Sequence, residues 1–76
     1  MTERAFIRRL EEEGCWVAPD WRFLAEQGEP IQVALRSGLR QVNMFVSPGQ
    51  VARADEDTIG AVLARLRYEL TTLVVN

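Results

Sequence analysis

The longest runs of titratable side chains in this 76-residue sequence are Glu11-Glu12-Glu13 and Asp55-Glu56-Asp57. Carboxylates grouped this way could hold a hard cation, move a proton, or offer negative charge to a basic partner. A cation needs ligands wrapped around one point, and Asp55-Glu56-Asp57 has none of the glycine-turn spacing of a calcium loop. Acid–base work needs two acids converging in a cleft, and a chain this short leaves little room for one. The rest of the catalytic repertoire is missing. There is no histidine, so a serine triad has no base and no imidazole titrates near neutral pH. A single cysteine, Cys15, leaves a thiolate metal site without a second ligand. No Gly-rich loop follows a strand and opens a helix to cradle phosphate. These residues predict a protein that is not an enzyme and uses no metal or cofactor.

Other residues stand out for binding. Glu11, Glu12 and Glu13 close a helix, where acids oppose the macrodipole. Arg8-Glu12 and Arg9-Glu13 are i, i+4 pairs in the less favourable order and offset little of that cost. A local violation of this kind marks a candidate contact surface; the plain alternative is a solvated helix end. Asp55, Glu56 and Asp57 suit a helix start and can serve as contact too. Cys15, beside Trp16 and Val17, reads as a buried, inert thiol.

The charges number 11 acids against 9 bases, for a net charge of -2, and every base is arginine. That balance argues against direct binding of nucleic acid, whose affinity comes from counterion release by a basic surface. The apolar runs are too short to span a bilayer. Without a signal-like segment, and with one unpaired cysteine, the expected compartment is cytoplasmic. Apolar residues make up 47% of the chain, a globular value, and the whole length, 1–76, reads as one domain.

The hydrophobic period sets the elements. Thr2 is a suitable N-cap. Phe6, Ile7 and Leu10 recur at helical spacing over residues 3–13, and Gly14 is the natural stop. Residues 16–25 are strand-like but interrupted at Pro19-Asp20, so the first strand is expected over 21–25. Gln27-Gly28 marks a turn. Residues 30–36 and 39–46 read as a hairpin around a two-residue Ser37-Gly38 turn, with Ala34 opposite Gln41 and Gln32 opposite Asn43. One face then collects Ile31, Val33, Leu35, Val42, Met44 and Val46. The other collects Gln32, Ala34, Arg36, Gln41 and Asn43, the pattern of a sheet covered on one side. Ser47 or Asp55 caps the final helix, over about 56–72, whose stripe is Ile59, Val62, Leu63, Leu66, Leu70 and Leu73. The fold class is α+β, ordered α-β-β-β-α, with two helices on one face of a three-stranded antiparallel sheet. Trp21 and Phe23 have two placements. An even loop before Pro30 puts them on the open face as an aromatic platform with Arg36, Gln41 and Asn43. An odd loop or a bulge buries them and frees Arg22, which avoids a buried unpaired charge.

Phe6-Ile7-Arg8-Arg9-Leu10-Glu11 with Gly14 and Trp16, then Val46-Ser47-Pro48-Gly49 and Thr58-Ile59-Gly60-Ala61-Val62-Leu63, resembles the HicA toxins of the double-stranded-RNA-binding fold. The resemblance implies the same small α+β scaffold. It also implies a ribonuclease histidine in the early strand region, where this chain has Asp20-Trp21-Arg22-Phe23-Leu24 and no imidazole. The basic helix end that holds phosphates in that fold is replaced here by Asp55-Glu56-Asp57.

The function expected from the sequence is therefore a small acidic protein-binding module. Its expected action is that of an inhibitor covering the basic, nucleic-acid-binding surface of a protein partner, as anti-CRISPR and similar phage-encoded inhibitors do. Glu11, Glu12, Glu13, Asp55, Glu56 and Asp57 are the candidate contacts, with Arg36, Gln41 and Asn43 on the open sheet face. The alternatives are a HicA-like RNA-binding toxin component without its histidine, or an oligomeric accessory protein, a homodimer among the forms open to it.

Overall fold

The computed structural model describes residues 1–72. Its elements are α1 (Glu3–Glu12), β1 (Cys15–Val17), α2 (Trp21–Glu26), β2 (Ile31–Ser37), β3 (Arg40–Val46), α3 (Pro48–Arg53) and α4 (Glu56–Thr72). The three strands pair antiparallel in the order β1-β2-β3. The expected α-β-β-β-α architecture is present, with two further short helices.

Local chemistry accounts for the ends of the long helices. Thr2 caps α1, accepting from the Ala5 N–H at 3.1 Å, and Gly14 follows the last turn with φ +92, a conformation that costs glycine little. Asp55 caps α4, accepting from the Thr58 N–H at 2.7 Å. Ser47 also serves, but for α3, in a reciprocal capping box with Gln50 and with Pro48 in the first turn. Between the two helices Ala54 adopts a left-handed conformation (φ 47). That conformation costs an L-residue roughly 1–2 kcal/mol, and it is held because the Ala54 side chain is buried in the core.

The first strand differs from the sequence expectation. Residues 21–25 are helical in α2, and the strand is Cys15–Val17. Trp21, Leu24 and Ala25 lie at i, i+3 and i+4 and pack against the core. Trp21, Phe23 and Ala25 also alternate, so residues 21–25 satisfy both periods and tertiary burial decides. Neither strand placement of Trp21 and Phe23 is found, platform or core: in α2 Trp21 is half-buried and Phe23 is exposed.

The hairpin is present, but its turn is Gly38-Leu39. Ser37 pairs with Arg40, Arg36 with Gln41, Ala34 with Asn43 and Gln32 with Phe45. Ala34 therefore does not oppose Gln41. Gly38 has φ +63 while Leu39 does not enter positive φ. That is the geometry of a turn needing glycine at its first central position, and a Ser37-Gly38 loop would have put glycine second. The register moves by two residues, so each side chain keeps its expected face.

The core lies between the sheet and the helices. Phe6, Ile7 and Leu10 of α1 join Cys15, Val17, Ile31, Val33, Val42 and Val46 of the sheet and Ile59, Val62, Leu63 and Leu66 of α4. Met44 and Leu70, expected in the core, are half-buried at its margin. Leu73, the last residue of the expected stripe, lies outside the described residues. α1 packs on β1, and α4 packs on β2 and β3. No helix among the described residues is long and apolar enough to cross a membrane.

Candidate functional site

With both long helices on one side, no element among the described residues covers the other side of the sheet. Strand alternation directs Trp16 of β1, Gln32, Ala34 and Arg36 of β2, and Gln41, Asn43 and Phe45 of β3 to it. Trp16 and Phe45 are 52% and 63% exposed. Ala34, paired on one side with Trp16 and on the other with Asn43, is only 4% exposed. It forms the floor of a shallow hollow of ≈ 310 Å³ lined also by Gly14, Trp16, Gln32, Arg36 and Gln41. The hollow exists because the smallest side chain of the face sits among its longest.

The polar groups of this face are mutually ordered. Asn43 Oδ1 accepts from Gln32 Nε2 at 3.3 Å and from Gln41 Nε2 at 3.1 Å. Arg36 is the one charge the strands place here. The surface can offer stacking area, amide hydrogen bonds and a single guanidinium. Arg36, Gln41 and Asn43, singled out in the sequence, all lie on it. Trp16 and Phe45 were missed, although the alternation already read in 39–46 directs Phe45 to the same side as Gln41 and Asn43.

Of the acids, Glu13 and Glu56 meet at the seam between α1 and α4, whereas Glu11 lies on the other flank of α1 beside Pro19, Trp21 and Arg22. Arg9 bridges the two clusters, with Nη1 2.6 Å from Glu56 Oε1 and Nε 3.7 Å from Glu13 Oε1. Arg67 Nη2 lies 3.1 Å from the other oxygen of Glu13. The Glu56 hydrogen bond, then the Glu56 charge, push the Arg9 guanidinium further above its ordinary value. Hydrogen bonds from the Thr58 side chain and backbone hold the Asp55 carboxyl below the usual carboxylate range. Thus Glu13 and Glu56 are engaged by arginines and Asp55 by its own helix. Glu11, Glu12 and Asp57 take part in no ion pair among the described residues, and no three His, Cys, Asp or Glu side chains there converge as a metal site would require.

Cys15 is buried on the inner side of β1. Burial pushes its thiol up, partly offset by the charge of Arg67, so little thiolate forms at neutral pH. Comparison with protein-family models, with curated proteins and with solved structures finds no match for this chain.

Proposed function

We propose that this chain is a non-catalytic protein-binding module whose contact surface is the uncovered face of the sheet. The observation that carries the reading is the pair of exposed aromatics, Trp16 and Phe45, beside the Ala34 hollow. A tryptophan at the edge of a small depression over Ala34, with amides and one arginine around it and a second exposed aromatic on the same face, has the composition of protein-interface hot spots. The hollow suits a single apolar side chain of the partner, and Arg36 suits a carboxylate at its rim.

A second reading keeps the acids as the contact. Glu11, Glu12 and Asp57 are free of ion pairs among the described residues, and an inhibitor of the anti-CRISPR type could set them against a basic, nucleic-acid-binding surface. Arg9 and Arg67 stand against Glu13 and Glu56 and weaken the field of the two clusters, which favours the sheet face. The HicA-like reading would instead stack an RNA base on Trp16.

Capture from lysate with the immobilised protein, with and without nuclease, separates these readings. The sheet-face reading expects a protein partner that survives nuclease, is lost with Trp16→Ser and Arg36→Glu together, and persists with Glu12→Arg and Asp57→Arg together. Loss on acid reversal alone would transfer the site to the acidic clusters. Capture that vanishes with nuclease would replace a protein partner by RNA.

A further inference from the structure

The sheet has two edges of unequal quality. β1 is three residues long and is followed at once by Ala18 and Pro19, so it offers little to a further strand. β3 is seven residues long and pairs without a bulge to β2. It contains no proline, and its one charge is Arg40 at its first position. Sheets protect exposed edges with charges, prolines, bulges or short strands, and β3 uses none of these along its centre.

Its free backbone groups can be assigned. The Ala18 N–H donates to the Gln32 carbonyl at 3.1 Å, so the backbone of Gln32 turns toward β1. Gln32 and Phe45 are then a pair without mutual hydrogen bonds. By alternation so are Ala34 with Asn43 and Arg36 with Gln41. The N–H and C=O groups of Gln41, Asn43 and Phe45 therefore point outward from β3. Among the described residues no hydrogen bond to them is present.

We infer that β3 is a homodimer edge, pairing antiparallel with β3 of a second copy about a two-fold axis at Asn43. In that register Asn43 meets its own counterpart and Gln41 meets Phe45 of the other copy. The three outward-pointing residues all exchange both backbone hydrogen bonds, which no other antiparallel register of this edge achieves. The side chains match as well. On the helix side Val42 meets Met44 of the second copy, covering a side chain left half-buried in the single chain. On the open side the Phe45 ring lies against the hydrocarbon of Gln41. The two Arg40 side chains fall at opposite ends, about 20 Å apart at strand rise, so no like charges meet.

The layer above fits a second copy in the same way. Glu56 and Arg67 fix the side of α4 that meets α1. About half a turn round, on the side overhanging β3, stand Arg65 and Glu69, joined at 2.9 Å. A two-fold axis sets the two α4 helices antiparallel, and a strip bearing both signs complements itself. The joined sheet has six strands, and only the short β1 edges remain open.

The test is solution mass and directed cross-linking of the full chain. The mass should be twice 8.6 kDa at micromolar concentration. Asn43→Pro removes an N–H that the chain's own ladder does not use, a substitution edge strands accept, and should raise the dimer dissociation constant by at least about tenfold. Asn43→Cys should form a disulfide across the axis on mild oxidation. Facing residues of a hydrogen-bonded antiparallel pair lie about 5.5 Å apart at Cα, within disulfide reach. Gln41→Cys should not, since its two copies would lie about 14 Å apart along the strands. Native Cys15 faces the core and stays out of the reaction. A wild-type mass of one chain throughout, a dimer indifferent to Asn43→Pro, or equal cross-linking at both positions overturns the inference. None of these readouts uses the partner captured by the sheet face, so the two proposals fail separately.

Discussion

Leu66→Ala probes the junction on which the whole architecture depends. Leu66 sits in the buried stripe of α4 and is 0% exposed. Its neighbours belong to the core cluster, which includes Val33, Val42 and Val46 of the sheet. β-Branched side chains on a hydrogen-bonded sheet cannot slump into a void as a loop would, so most of the cavity should persist. Leu→Ala changes in such sites cost about 2–5 kcal/mol, and this one belongs around the middle of that range, about 3–4 kcal/mol. A domain of this length has a reserve of about 4–11 kcal/mol at 0.05–0.15 kcal/mol per residue, and small domains lie toward the low end. The variant should lose most of its stability, and its melting temperature should fall by roughly 12–30 °C at 4–8 °C per kcal/mol. Circular dichroism at 222 nm with guanidinium and thermal unfolding measures both quantities. Leu66→Met, which conserves volume, should cost less than about 1.5 kcal/mol. Ala64→Ser, on the exposed side of the same helix, should stay within about 0.5 kcal/mol. A Leu66→Ala protein melting within a few degrees of wild type would mean that α4 does not bury this stripe against the sheet.

Asp55 gives a pH signature. Its carboxyl is held below the usual range by Thr58, so its cap is fully present above the unfolded-state value, about pH 4, and is lost as the pH falls through the lower folded-state value. Acid unfolding followed by circular dichroism should show a step in that window, and Asp55→Asn should flatten it; an unchanged step would assign it to other carboxylates. Cys15 should react with a disulfide reagent far more slowly in the native protein than in guanidinium, because its thiol is buried and its pKa is raised; equal rates would place it at the surface. Purified protein should not cleave RNA in the absence of metal, since the sequence has no histidine to serve as general base. Cleavage that follows single substitutions in this chain through purification would refute that.

Much of this scaffold is written locally. Thr2, the Phe6-Ile7-Leu10 face and Gly14 define α1 through capping, period and the left-handed freedom of glycine. Asp55 and the stripe from Ile59 to Leu66 define α4 in the same way. Alternation along β2 and β3 separates the two faces of the hairpin, and this survives a two-residue error in register because side-chain direction depends only on parity. The α3 helix was legible too, in Ser47, Pro48 and Gln50, but Ser47-Pro48-Gly49 reads equally as a loop closing the sheet. The turn position depended on which central residue has positive φ, and the sequence Ser37-Gly38-Leu39 allows glycine in either place.

Tertiary structure decided the rest. Residues 21–25 satisfy both a strand and a helix period, and only packing of Trp21 and Leu24 against the core selects the helix. Pairing of β1 with β2 sends Cys15 inward and Trp16 outward, which creates the aromatic surface now proposed for binding. The acids show the same dependence most sharply. Local sequence makes Glu13 an unfavourable helix end and Glu56 a favourable helix start, but Arg9 meets both only because α1 and α4 lie side by side on the sheet. Which charges remain free for a partner is set by contacts between residues 47 and 54 positions apart, and no local pattern encodes such distances.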